Sequence, residues 1–291
     1  MKKLTTLMIL VVAAAFPAAA GHYGDFYVIP AAAHTPGNSG TFFRTDLAIY
    51  NFQPTTLIVD LALVESSLDG NDNVFPIGDS AHVIAPDSSL LLSDLLEDYR
   101  EMDSATGAIL VSGNQAFAVT SRTYNTEGGD GTFGQTVPGV RDFIDNAAGF
   151  TPDMATAYLP GLIVNDDFRT NIGFVVGSNG PDNQALTIKV TLYGENGGVI
   201  GSKDYVYPPG AIAHRQFSTK DISPAGFEIG GADVTVTSGN GTVIPYAAVV
   251  DNRTGDGNFV LGNFPPSTPT MGKLSGTSIF ERIFDSVISN R

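Results

Sequence analysis

The chain has 291 residues, 30 acidic and 15 basic, a formal net charge of −15, and neither Cys nor Trp. Without Cys there is no disulfide scaffold, thiolate nucleophile, Cys-bound zinc, iron–sulfur cluster or lipoprotein anchor; the acidic balance excludes the phosphate neutralisation on which nucleic-acid binding depends. With 33 Gly and 17 Pro, the composition fits a turn-rich all-β protein rather than a helical bundle, in one or two domains large enough for full cores.

Lys2 and Lys3 precede an apolar run from Leu4 to Phe16, followed by Pro17 and Ala18-Ala19-Ala20. A basic start, a short apolar middle and a small-residue end describe a secretory signal peptide over residues 1–20, cleaved after Ala20. The run is shorter than the ~20 apolar residues of a membrane span. The expectation is an exported chain, periplasmic, cell-surface or extracellular, with no transmembrane anchor after cleavage.

From Gly24 onward the sequence repeats itself. Phe43-Arg44-Thr45-Asp46 recurs as Phe168-Arg169-Thr170-Asn171, and Ile29-Pro30 recurs as Leu159-Pro160. Gly107-Ala108 returns as Gly231-Ala232, Gly113-Asn114 as Gly239-Asn240, and Asp130-Gly131-Thr132-Phe133 as Asp256-Gly257-Asn258-Phe259. Five landmarks in one order mark a duplication. The repeats are read as residues 24–140 and 155–263, with a short linker at 146–153.

Within each repeat the apolar period is two. Leu57, Val59, Leu61 and Leu63 alternate with Ile58, Asp60 and Ala62, which predicts a strand with one face in the core and one in water. Ser93 to Tyr99 reads as a short helix, with Ser93 as cap, Asp94 in the first turn and Leu95, Leu96 and Tyr99 on one side. Gly129 to Gly134 matches G-x-G-x-x-G, but Thr136-Val137-Pro138-Gly139 cannot open the helix a dinucleotide site needs, so a glycine-rich hairpin tip is expected. Asp69, Asn71 and Asn73 begin like a calcium loop that lacks the later Gly and Glu.

In the second repeat, Ile172, Phe174 and Val176, then Leu186, Ile188, Val190 and Leu192, continue the pattern. Tyr193, Tyr205 and Tyr207 fall on or near one hairpin, as a sugar platform or, preferably, as cross-strand packing. Val234 and Val236 alternate with Asp233, Thr235 and Thr237. Val243 to Val250 is apolar on both faces and reads as a central strand. Asp251, Asn252, Asp256 and Asn258 make an oxygen-rich loop, which turn chemistry alone explains. Roughly seven strands per repeat at this spacing predict an all-β fold of two tandem antiparallel β-sandwiches of Ig-like architecture.

Pro265, Pro266, Ser267 and Pro269 belong to a linker over 264–277. Ser278 and Glu281 then form a capping box for an amphipathic helix at 278–290, whose apolar stripe is Ile279, Phe280, Ile283, Phe284, Val287 and Ile288. That helix either docks on a sandwich or engages a protein or cell-surface partner.

Catalytic motifs are missing. There is no G-x-S-x-G, S-x-x-K, H-E-x-x-H or Walker A sequence, and His22, His34, His82 and His214 are scattered. No catalytic, cofactor-binding or metal residue is assigned, and no cofactor is expected. Arg44 and Arg169 read as latches, pairing with Asp46 or with loop carbonyls.

The paired F-R-T-[DN] strands, Leu159-Pro160-Gly161-Leu162 and the D-N-x-T-G-D stretch from Asp251 to Asp256 resemble those of uncharacterised exported bacterial proteins with two tandem Ig-like β-sandwich repeats. The resemblance spans most of the chain after residue 20 and implies no particular activity, substrate or site. The leading expectation is a non-enzymatic, exported surface or extracellular protein with a structural or interaction role. The alternatives are a glycan- or calcium-binding module and an Asp-based hydrolase.

Overall fold

The computed structural model describes residues 24–37, 40–66, 74–97, 103–125, 131–141, 144–145, 156–178, 184–264 and 279–289. The expected signal peptide, the 146–153 linker, the Asp69 loop and the Ser278 cap lie outside the described residues. Within them the chain is antiparallel β-structure, arranged as two tandem sandwiches with one short helix.

The first sandwich contains β1 (Gly24–Pro36), β2 (Phe42–Asn51), β3 (Leu57–Glu65), β4 (Val74–Pro76), β5 (His82–Ile84), β6 (Ser88–Leu92), β7 (Ala105–Asn125) and β8 (Phe133–Pro138). One sheet sets β4 and β5 beside β3, then the first half of β7, then β1. The other runs β6-β2-β7-β8 and uses the second half of β7. Strand β7 is 21 residues long and serves both sheets. Phe133 and Gly134, which close the glycine-rich motif, thus belong to strand β8, not to a helix.

The second sandwich contains β9 (Ile144–Asp145), β10 (Thr156–Val164), β11 (Phe168–Ser178), β12 (Leu186–Tyr193), β13 (Val199–Tyr207), β14 (Ile212–Ser218), β15 (Phe227–Ser238), β16 (Gly241–Asp251) and β17 (Gly257–Leu261). Its sheets run β10-β15-β12-β13 and β14-β11-β16-β17, with β9 also pairing β16. The central pairing follows the first sandwich, with β10, β12 and β11 in the places of β1, β3 and β2 and with β15 and β16 in place of β7. The long strand divides at the repeated Gly-Asn pair. Gly113 lies inside β7, whereas Gly239 takes φ 77° and divides β15 from β16, a conformation that glycine adopts without steric cost.

The alternating positions fill the cores. Leu57, Val59, Leu61 and Leu63 are fully buried in the first. Leu186, Ile188, Val190 and Leu192 are fully buried in the second. The opposite face of β3 is exposed at Ile58, as its pattern predicts, but not in its second half. Ala62 and Val64 are equally buried, in a third cluster with Phe26, Val28, Ala108 and Leu110 of the first sandwich and Val175, Ile212 and Ile244 of the second. The β3–β7–β1 sheet therefore packs its outer face on the outer face of the β11–β16 sheet, and the four sheets form a stack with three apolar interiors. Burying each such aliphatic side chain is worth about 1.5–3 kcal/mol, so the joint is a core in its own right.

Helix α1 (Ile279–Ile288) seals one side of that joint. Phe284 is 2% exposed, meets the ring of Phe26 edge-on at 6.0 Å, and has Ile288 beside it on the same cluster. Among the described residues no helix is long and apolar enough to cross a membrane.

Two further sequence expectations change. Residues 93–97 form a turn rather than a helix, and Asp94 sits at φ 44°. Tertiary bonds hold it there: Leu95 N–H donates to the Thr45 carbonyl, and the Asp94 N–H donates to Asp46 Oδ1. These bonds outweigh the local cap signal; Tyr99 lies outside the described residues. The three tyrosines also divide. Tyr205 and Tyr207 point inward onto Phe174, while Tyr193 points outward and donates to Asp233 at 2.9 Å. Tyr205 and Tyr207 pair across strands with Ile188 and Leu186, so their aromatic contacts run between sheets.

Candidate functional site

The F-R-T motif sits where β1 crosses β2 in the first sandwich and where β10 crosses β11 in the second. Its threonine makes the crossing. Thr45 Oγ1 accepts from Ala33 N–H at 2.8 Å and contacts Thr123 Oγ1 at 3.0 Å. Thr170 Oγ1 accepts from Ile163 N–H at 3.2 Å and donates to the Ile163 carbonyl at 2.6 Å. Both threonines are fully buried. Changing either to valine keeps the branched shape and strands a backbone N–H. The expected loss is about 1–3 kcal/mol for each variant, read from urea unfolding; an unchanged midpoint would remove the threonine from this role.

The motif's arginines act as latches with different partners. Arg44 Nε lies 3.0 Å from Asp94 Oδ2, and His34 Nδ1 lies 2.9 Å from Asp94 Oδ1. The partner is Asp94 rather than Asp46, whose Oδ1 accepts from Asp94 N–H and from Tyr124 Oη. Burial, followed by the Asp46 charge and hydrogen bond, pushes the Tyr124 hydroxyl up from its ordinary pKa. The matching positions of the second sandwich hold Val164, Arg169, Asn171, Thr219 and Val250. The His34–Asp94–Tyr124 cluster is therefore particular to the first unit, and it fixes the turn after β6.

Arg169 Nη1 donates to Asn252 Oδ1 at 3.1 Å, and burial lowers the guanidinium pKa. Asn252 belongs to the Asp251–Asp256 loop. There the backbone N–H groups of Thr254 and Arg253 bond Asp251 and hold its carboxyl below the usual range. Arg253 pairs with Asp167 at 2.7 Å, but both side chains are largely exposed, so the pair adds little stability. Among the described residues no group of three His, Asp or Glu is placed to hold a metal.

A second polar cluster lies inside the joint. His214 is 2% exposed; its Nδ1 is 2.6 Å from Ser66 Oγ and its Nε2 is 2.7 Å from Tyr246 Oη. The Tyr246 hydroxyl donates to Gln216 Oε1 at 3.0 Å. Its oxygen therefore accepts from Nε2–H, and Nδ1 accepts from Ser66. Burial pulls the His214 pKa down to about 4, with the Pro30 carbonyl opposing it. A serine–histidine contact suits nucleophilic chemistry when the imidazole can take a proton and a third group orients it. Here the ring is sealed between sheets and braced by a neutral phenol, so the contact joins Ser66 of the first unit to the second. Sequence reasoning left His214 as an isolated histidine; its partner is 148 residues away, and no local spacing announces it.

A cleft of about 440 Å3 opens between the units, lined by Val119, Pro138, Arg141, Ile244, Pro245 and Phe264 among others. Its walls are mainly carbon and bring no set of reactive groups together.

No protein-family model and no curated protein matches the sequence. Among solved structures, a lectin from Pleurotus ostreatus in complex with GalNAc overlays 90% of this chain and 84% of its own, at 10% identity and a TM-score of 0.20. A glycosyl hydrolase family 2 member from Bacteroides cellulosilyticus DSM 14838 overlays 79% of this chain and 27% of its own, at 9% identity and a TM-score of 0.17. At such scores neither likeness carries an argument about this chain.

Proposed function

We propose that the protein is a non-catalytic module, exported from a bacterial cell, whose role outside the cytoplasm is structural or interactive. The observation that carries this reading is the joint. A sheet face that an isolated sandwich would leave in water is spent on Val175, Ile212, Ile244 and Phe284. The arrangement stiffens the pair into one body. The groups with most chemical potential, His214 with Ser66 and Asp94 with Arg44, serve as internal ties.

The test is a fractionation and an activity screen on one preparation. Expression of the full chain in a bacterium should give a product outside the cytoplasm, with Gly21 at its N-terminus by mass spectrometry. The purified product should not turn over polysaccharide, ester or peptide substrates. Hydrolysis that disappears in His214→Gln, with the β-sheet circular dichroism spectrum unchanged, would overturn the reading. Retention of an uncleaved chain in the cytoplasm would overturn the export part alone.

A further inference from the structure

The repeated Asp-Gly turn of one sandwich abuts the β7–β8 hairpin of the other. Gly134 N–H of β8 donates to Asp256 Oδ1 at 3.0 Å, and Gly257 N–H donates to the same oxygen at 3.1 Å. Asn125, at the end of β7, reaches into the Asp251–Asp256 loop and donates from Nδ2 to the Thr254 carbonyl at 3.2 Å. The same Nδ2 lies 3.4 Å from the Phe133 carbonyl.

These bonds fix the Asn125 amide, because exchanging its ends would aim an oxygen at two carbonyls. Asn125 is fully buried, yet its Oδ1 has no hydrogen-bond partner. Gln135 Oε1, two residues along β8 from Phe133, is also buried and unpartnered. A buried amide oxygen left unmade is costly, and two of them beside one loop call for a shared electropositive neighbour. The loop lies close on this side. A Cβ at Gly255 would lie 2.6 Å from Asn125 Nδ2, and one at Gly257 would lie 2.7 Å from Gln135 Oε1. Backbone without side chains thus faces both amides, and Asp256, between the two glycines in sequence, has its carboxylate held at Gly134 and Gly257.

We propose that Asn125 Oδ1, Gln135 Oε1 and the Asp256 carboxylate bind a hard divalent cation, calcium by its coordination, which clamps the two units together. The donors are all oxygen, as such ions require, and water completes the shell. Calcium accepts the irregular geometry of loop and amide oxygens that magnesium, which demands a near-ideal octahedron, does not. A single carboxylate places the affinity among weak sites, on the order of 10⁻⁴–10⁻³ M. Asp256 was visible in the sequence as an oxygen-rich turn residue; the orphaned Gln135 was not.

The test is thermal unfolding of the purified chain in EDTA, in about 5 mM calcium and in about 5 mM magnesium. A ligand that binds only the native state raises the midpoint by mass action, here by about 2–6 °C. Calcium should give that rise and magnesium at most a fraction of it. Asp256→Asn retains an acceptor for both N–H groups, and Gln135→Met replaces the orphaned oxygen with a thioether of similar length. Each should cut the calcium shift by more than half while unfolding in EDTA within a few degrees of the parent. No rise with calcium would mean that ordered water serves these oxygens, and the proposal fails. It also fails if both variants keep the full shift, since calcium would then bind elsewhere. Equilibrium dialysis with radioactive calcium gives an independent reading, expected near one ion per chain and overturned by none.

Discussion

Tyr246→Ala is expected to lower the unfolding free energy by about 3–5 kcal/mol, the range for emptying an aromatic site in a packed interior. Tyr246 is carried by β16 of the second sandwich but is fully buried within the core cluster of the first. Its ring stacks on Phe259 at 5.2 Å and on His214 at 6.0 Å. It lies directly over Gly173, where a Cβ would come within 2.3 Å of the ring. The backbone is thus shaped to admit this ring, and a sheet paired on both sides of β16 has little freedom to collapse into the void. The hydroxyl adds a second loss, because His214 Nε2–H would have no acceptor and Gln216 Oε1 no donor. Tyr246→Phe removes only that part and should cost about 1–3 kcal/mol. Urea unfolding of the two variants separates ring from hydroxyl. Calorimetry tests the coupling: the parent should unfold in one transition, and Tyr246→Ala should broaden or split it as the units come apart. A loss below about 1 kcal/mol for the alanine variant, with the fold retained, would show that the ring is not part of the joint.

The parts of this architecture that were legible are those with a local period. Strands β3, β12 and β15 alternate because successive side chains leave a strand on opposite faces, and α1 shows its apolar stripe for the corresponding helical reason. The duplication was legible because Thr45 and Thr170 must each make the same crossing, so the motif around them recurs. The joint was not legible. Ala62, Val64 and Val175 are small and apolar wherever they point, and nothing near Ser66 refers to His214. One hint was present. Val243 to Val250 is apolar on both faces, as strands buried on both sides are, and β16 lies between the second core and the joint. The 93–97 turn failed for the opposite reason. A cap residue followed by an acid and two leucines describes a helix start and also a tight turn, and Asp46 and Thr45, far away in sequence, decide between them.

Acid should weaken the protein through His214. In the unfolded chain its imidazole titrates near the ordinary value of 6.5, while in the fold burial holds it near 4. The fold therefore binds this proton less readily than the unfolded chain does. Above the unfolded value both states are neutral at this site and the burial is fully tolerated. As pH falls from about 6.5 to about 4 the unfolded state gains a proton that the fold refuses, and stability drops along that window. The full difference corresponds to about 3 kcal/mol. Below about 4 the folded ring titrates as well and the loss levels off. Protonation within the fold reverses the Ser66 contact, with Nδ1–H donating and the serine hydroxyl rotated to accept. The measurement is urea unfolding at pH 7 and pH 4.5 for the parent and for His214→Gln, which cannot titrate. Carboxylates contribute an acid dependence of their own in both proteins, so the informative quantity is the difference between the two slopes. The variant should be the less stable protein at pH 7 and should lose clearly less on acidification. Equal losses in parent and variant would show that His214 does not carry the acid sensitivity of the joint.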